Sequence, residues 1–140
     1  MRARAVFATL VMCHVAVSRP GFAGGAERAV DCDDIRNTYE SNVCADRAFK
    51  EADAKLNDVY KRVLAHIAES GMEKPYDGET WASAMKVAQR AWLAFRDADC
   101  KGVVTMEWTG GSGTSAAVLG CMTEKTKVRS EELAERYGLK

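Results

Sequence analysis

The chain has 140 residues, of which 47% are hydrophobic and 29% are charged. This length is typical of one domain, and this balance supports a packed core rather than disorder. Basic and acidic residues number 20 each, so no excess of positive charge favours nucleic acid as a partner.

The first 23 residues have the pattern of a cleaved secretory signal peptide. Arg2 and Arg4 precede an apolar run over residues 5–17, and a proline and small residues follow it. A basic start, a short apolar run and a small-residue exit are typical of such a signal, with cleavage after Ala23 or Ala26. The run is too short for a stable membrane anchor. The alternative is that this segment forms an N-terminal helix of the fold.

Removal of this segment changes the charge and the cysteine count. It takes three basic residues and no acidic ones, so 17 basic residues remain against 20 acidic residues, a net charge of −3. An acidic surface suits a basic partner. Cys13 also leaves, and the large Met12 before it argues against lipid attachment. We therefore expect a periplasmic or secreted domain over residues 24–140.

The first predicted helix runs from Tyr39 to Glu69. Thr38 is its candidate N-cap, and Glu40 lies in the first turn, where a negative charge is favourable. Eight apolar residues recur at three- and four-residue steps, the helical period: Phe49, Ala52, Leu56, Val59, Tyr60, Val63, Leu64 and Ile67. Gly71 follows the end of this helix.

Two further helices are predicted, from Glu79 to Cys100 and from Ser115 to Tyr137. The apolar line of the second helix consists of Trp81, Met85, Ala88, Trp92 and Phe95. The glycine-rich residues 101–114 are predicted to be a loop, and no segment alternates long enough to indicate a strand. The fold class is all-α: two long antiparallel helices, a third across them, and a short N-terminal segment pinned by a disulfide.

The four cysteines of the mature chain are expected to form disulfides, since an even number is typical of exported domains. Cys32 and Cys44 would be about 18 Å apart on one helix, so their pairing needs a chain reversal near Thr38. Cys100 and Cys121 would close the glycine-rich loop. We favour Cys32–Cys44 and Cys100–Cys121, and the two crossed pairings remain open.

Several polar residues lie on or beside the apolar lines of the helices: Asp53, Asn57, Gln89, Arg96, Asp99 and Arg129. A charge on a buried face is costly unless it is paired. We therefore expect Arg96 and Arg129 each to contact a carboxylate, with Asp53 and Asp99 as the candidates. The interpretation we favour is an ion-pair network that fixes helix register, and a ligand pocket is the alternative.

The loop over residues 103–112 is the favoured contact surface for a partner. Val103, Met106 and Trp108 lie there among glycines, and the Cys100–Cys121 bridge would restrain both ends. Restraint lowers the entropy lost on binding. The alternative is that Trp108 folds back over the core.

A set of residues along the mature chain carries a family resemblance: Cys44-Ala45, Ala52-Asp53, Leu56-Asn57, Tyr60, AQRAWLAFRDADC over residues 88–100, Cys121, Thr126, Arg129 and Leu133. These residues resemble the N-terminal domain family of lysozyme inhibitor LprI, from about Cys32 to Leu133. The resemblance implies a secreted or periplasmic helical domain with two disulfides. The family takes its name from a mycobacterial lipoprotein that inhibits lysozyme, whereas this chain lacks a convincing lipidation site.

The resulting hypothesis is an exported envelope binding protein that resembles a lysozyme inhibitor and is not an enzyme. His66 is the only histidine after the signal and is expected at the helix surface, and no motif for nucleophilic or phosphate chemistry occurs. No C-x-x-C pair occurs beside this single histidine, so we expect no metal site, and binding by steric occlusion would need no cofactor. The alternatives are a periplasmic accessory or stress protein of other binding specificity and, more remotely, a hydrolase that uses carboxylates.

Overall fold

The computed structural model describes residues 30–139, and the predicted signal peptide with its cleavage sites lies outside them. The elements in chain order are α1 (Thr38–Ala68), α2 (Gly78–Asp97), a π-helical turn (Ala98–Val103), α3 (Val104–Glu107) and α4 (Thr114–Arg136). No strand occurs in this part of the chain. The predicted all-α class with three main helices is confirmed.

Side-chain caps fix the starts of α1 and α2. Asn37, not Thr38, is the N-cap of α1, and its side chain accepts a hydrogen bond from the Glu40 backbone N–H over 3.0 Å. Asp77 caps α2 in the same way and accepts from the Thr80 backbone N–H over 3.1 Å. Both residue types satisfy backbone donors that a helix leaves unpaired in its first turn.

The connection between α1 and α2 brings two backbones into close contact. A Cβ built on Gly78 would lie 2.8 Å from the Ile67 carbonyl oxygen and 3.3 Å from the Ala68 Cα. The start of α2 therefore lies directly against the end of α1, and a residue with a side chain would push them apart.

The predicted loop over residues 101–114 is wrong in its first half. The helix continues beyond Asp97 through the π-helical turn and α3, and the chain leaves helical structure only at Trp108. A π-helical turn holds one more residue than an α-helical turn and so shifts the side chains that follow. Gly102 lies in this turn without ending it. The reversal falls instead at Thr109 and Gly110, which have positive φ values of 52° and 68°.

The most extensive helix packing is between α1 and α4, and their side-chain contacts show that these two helices run in the same direction. Arg96 contacts both Asp53 of α1 and Thr126 of α4. Further toward the C-terminal ends of the same two helices, the rings of His66 and Tyr137 lie 5.7 Å apart. The chain therefore brings α4 alongside α1, with α2 antiparallel to both. The expected antiparallel arrangement of α1 and α2 is present, but the third long helix lies alongside α1 and not across the pair.

The apolar core lies between the C-terminal halves of α1 and α4 and the first half of α2. Its buried members are Leu56, Val59, Val63, Ile67, Met85 and Leu133. The apolar line predicted for α2 is partly wrong, because Ala88 is exposed and Phe95 is 58% exposed. The helix buries Gln89 and Arg96 in their place.

Both favoured disulfides are present. Cys32–Cys44 and Cys100–Cys121 each have a Cα–Cα distance of 5.6 Å. The first bridge joins the N-terminal segment to α1, and the second joins the π-helical turn to α4. Both bridges lie toward the one end of the bundle that the apolar core does not reach.

Candidate functional site

A buried polar layer lies between α1, α2 and α4, beyond the apolar core. Its centre is Arg96, which is 6% exposed. The Arg96 guanidinium donates to the Thr126 hydroxyl over 3.1 Å and lies 3.5 Å from the Asp53 carboxylate. Asn57, one turn further along α1, donates to the other Asp53 oxygen over 3.0 Å. One side chain of α2 thus joins all three helices.

The Arg96 guanidinium also pairs with a second carboxylate, that of the next residue in the chain, Asp97, at 3.0 Å. Lys101 also donates to Asp97, over 2.7 Å. The Lys101 ammonium group and, next, the Arg96 guanidinium hold the pKa of the Asp97 carboxyl below its usual range. Asp97 therefore stays charged and neutralises a guanidinium that has little access to water.

Arg129 forms the second half of the layer and is 7% exposed. Its Nε donates to the Gln89 side-chain oxygen over 3.2 Å, and its terminal nitrogen donates to Glu132 over 2.8 Å. The carboxylate at Arg129 is therefore Glu132, one turn away on the same helix. Asp99 instead pairs with Lys125 at 3.1 Å, because the π-helical turn carries it away from both arginines.

Trp92 lies between the two buried arginines. The guanidinium carbon of Arg96 is 5.4 Å from the Trp92 ring centroid, and that of Arg129 is 5.9 Å away. The Phe49 ring supports Arg96 from α1, also at 5.4 Å. Aromatic faces stabilise cations, most strongly where water is excluded. The two arginines therefore hold helices and charge in place.

Sequence reasoning missed three members of this layer: Thr126, Asp97 and Glu132. Thr126 is fully buried, and the hydroxyl of its neighbour Ser130 is buried without a hydrogen-bond partner. The two carboxylates could have been found from their position in the sequence, since Asp97 and Glu132 lie one and three residues from the arginines that they neutralise. His66 is exposed at the helix surface, as expected.

A second candidate is the exposed segment that begins at the last residue of the π-helical turn, includes α3 and ends before α4, residues 103–113, which we call the tip. Met106 is 76% exposed, Val103 52% and Trp108 50%. The Trp108 ring lies against Gly113 within the tip, because a Cβ there would be 2.6 Å from a ring carbon. Trp108 therefore covers its own turn, and the core cluster does not include it. The Cys100–Cys121 bridge holds the base of the tip.

An apolar cleft at the start of α2 was not predicted from the sequence. It has a volume of about 330 Å³ and is lined by Met72, Pro75, Tyr76, Thr80, Trp81 and Ala84. The aromatic Tyr76 is 73% exposed at its edge. The cleft opens at the opposite end of α2 from the tip, so the two apolar surfaces are separate.

Three potential metal ligands within residues 30–139 lie together: Asp99, Cys100 and Cys121, with ligand atoms within 4.8 Å of one another. Both sulfur atoms form the disulfide and offer no thiolate. This trio therefore does not constitute a metal site.

The fold and these surfaces define a class of protein, a small helical domain held by two disulfides that presents a restrained apolar tip. The sequence matches the lysozyme inhibitor LprI family over residues 31–133, and the chain belongs to that family. Disulfides persist in oxidising compartments, so the bridges and the family together indicate an extracytoplasmic protein. Between residues 30 and 139, no helix has the length and apolar character that membrane crossing requires.

Two relatives have similar sequences. The chain is 34% identical over 138 residues to an uncharacterized protein of Rhizobium meliloti, a match that covers 96% of this chain and 95% of the relative. It is 29% identical over 107 residues to the uncharacterized protein YecT of Escherichia coli, over 72% of this chain and 65% of YecT. No solved structure matches the chain.

Proposed function

We propose that this chain is exported, loses residues 1–23, and binds a lysozyme in the cell envelope, which it inhibits by steric occlusion. The family, described as lysozyme inhibitor LprI, supports a role in binding a lysozyme without catalysis. The protein would need no cofactor, because occlusion requires only a surface that fits the enzyme.

The observation that carries the proposal is the exposed, restrained tip. Val103, Met106 and Trp108 present apolar side chains to solvent on a segment that is covalently closed at its base. A few anchors, most often aromatic residues or arginine, supply most of the binding energy in protein interfaces, and methionine is also enriched there. A closed segment loses little conformational freedom when it enters a cleft, so more of that energy appears as affinity.

Charge supports the same partner. The mature chain would carry the net charge of −3, and Glu107 adds an exposed carboxylate to the tip. An acidic protein is attracted to a basic lysozyme, and this attraction raises the rate of association.

The test is inhibition of cell-wall lysis by several lysozymes in the presence of the oxidised mature protein. We expect the wild type to suppress lysis at stoichiometric concentration, and Met106→Ala to weaken inhibition about tenfold or more. Met72→Ala is the matched control, because Met72 is also exposed but lies in the apolar cleft, away from the tip.

The outcomes separate the candidate functions. Absence of inhibition by the wild type, with the protein folded and oxidised, would refute the lysozyme proposal and favour an accessory protein with another partner. Equal inhibition by wild type and Met106→Ala would keep a lysozyme as partner but remove the tip from the contact. Turnover of the cell-wall substrate by the protein alone would instead favour a carboxylate hydrolase.

A further inference from the structure

The sulfur groups of residues 30–139 differ widely in their access to solvent. All four cysteines in this range form disulfides, so none of them offers a thiolate to an oxidant. Two of the methionines, Met85 and Met122, are buried in the bundle, and Met72 is 45% exposed at the apolar cleft. Met106, on α3, is 76% exposed. The most accessible thioether of this part of the chain therefore lies on the tip.

The Met106 side chain is not part of what holds the bundle together. It belongs neither to the buried core cluster nor to the partly buried residues packed against that cluster. The backbone carbonyl of Met106 does accept a hydrogen bond, from the Thr109 N–H over 3.1 Å, but that bond does not depend on the side chain. The thioether can therefore change chemically while the fold stays intact.

Within the tip, by contrast, Met106 is the most prominent apolar side chain. It lies between Val103 and Trp108 in the sequence and is the most exposed of the three. Oxidation to the sulfoxide converts this flexible apolar side chain into a polar one. A polar oxygen that enters an apolar contact without a hydrogen-bond partner lowers affinity. A single oxygen atom added at Met106 is thus enough to weaken binding by the tip.

We propose that Met106 is an oxidation site, at which hydrogen peroxide forms methionine sulfoxide and thereby releases the tip from its partner. This regulation rests on the proposed binding of a lysozyme by the tip. The sulfur lone pair attacks one peroxide oxygen, so that an S–O bond forms and the O–O bond breaks. The sulfur loses two electrons, the peroxide gains them, and the proton of the transferred oxygen passes to the departing hydroxide to give water. No other side chain takes part, so access of peroxide to the sulfur decides which methionine reacts.

Peptide mass spectrometry of the folded, disulfide-bonded protein during peroxide treatment tests the site. We expect Met106 to react fastest, Met72 to follow, and the buried Met85 and Met122 to react about tenfold or more slowly than Met106. The control is the protein unfolded in urea, in which all four methionines should react at similar rates. Similar rates in the folded protein, or a faster reaction at Met72, would overturn the assignment.

Stability provides a second readout on the same samples. Protein oxidised only at Met106 should keep the thermal midpoint of the untreated protein, because the core does not include this side chain. A lower midpoint at this stage would show that Met106 supports the fold, and a loss of binding could then not be assigned to the tip alone.

Inhibition measured before and after peroxide tests the consequence, with each protein compared with itself. Catalase removes the peroxide before lysozyme is added, so the enzyme is not oxidised. Wild-type inhibition should weaken about tenfold or more, in step with the oxidised fraction of Met106. Met106→Leu has no sulfur at this position and should keep whatever inhibition it has before treatment. The matched control Met72→Leu should lose inhibition as the wild type does.

Undiminished inhibition by wild type that is fully oxidised at Met106 would overturn the regulatory role, and so would an equal loss in treated Met106→Leu. Absence of inhibition by the untreated wild type is a different result. It would refute the proposed function, and with it the release of the partner, whereas the rates from mass spectrometry would still decide whether Met106 is the oxidation site.

Discussion

The contact between Arg129 and Gln89 provides a direct test of what the buried polar layer does. Both residues are 7% exposed, and the Arg129 Nε donates to the Gln89 oxygen over 3.2 Å. We propose that this contact fixes the register of α2 against α4. The alternative is that the two side chains are held ready for a ligand.

The magnitude follows from what each substitution leaves unpaired. Arg129→Met removes a charge-assisted hydrogen bond to a buried amide, and such a loss costs about 2 kcal/mol. The ion pair with Glu132 adds little, because that carboxylate is 42% exposed. Gln89→Met leaves the guanidinium without its amide partner and should cost about as much. The double substitution removes both polar groups and fills the space with apolar atoms, so its net cost should be about 1 kcal/mol or less.

Urea unfolding of the wild type, both single variants and the double variant gives the coupling free energy of the pair. We expect the double variant to be more stable than either single variant, with a coupling of about 3 kcal/mol. Additive losses would show that the two side chains act independently and would refute the register argument. Single variants as stable as the wild type that lose partner binding would favour a ligand pocket.

Two further predictions concern covalent and backbone constraints. Gly78→Ala should destabilise the fold by about 1–3 kcal/mol, because its Cβ would lie 2.8 Å from the Ile67 carbonyl oxygen. At Gly120 a Cβ would have nothing within 4 Å, so Gly120→Ala should instead raise the free energy of unfolding by about 0.5–1 kcal/mol, measured by urea unfolding. If Gly120→Ala lost as much stability as Gly78→Ala, the close contact at Gly78 would not be the cause. Replacing Cys100 and Cys121 by serine opens a bridge of sequence separation 21 and should cost about 3 kcal/mol of unfolding free energy. An unchanged thermal midpoint would show that the bridge does not constrain the unfolded chain.

The helices and the disulfides could be predicted because their signals are local. The apolar residues of α1 recur with the helical period, and five of the eight predicted positions are buried in the structure, from Ala52 to Ile67. The bridge between Cys100 and Cys121 followed from the glycines between them, which favour a reversal. Loop closure depends on sequence separation, which the chain shows directly.

The orientation of α2 could not be predicted in the same way. This helix is apolar on two faces, so the periodicity of Trp81, Met85 and Phe95 did not identify the buried one. Gln89 and Arg96 became buried because Thr126 and Arg129 of α4 provide polar partners at that depth. The cost of burying a polar group depends on its partner, and that partner lies 30 to 40 residues away in the chain.

The sequence by itself determined the all-α class and the approximate helix boundaries and favoured the correct cysteine pairing, since each depends on short-range periodicity or on the length of a closed loop. Only the tertiary structure decided that α4 lies alongside α1, that Asp99 pairs with Lys125, and that the helix continues to the tip. These features depend on which side chains meet across helices, and a one-residue shift in the π-helical turn rotates every side chain that follows it.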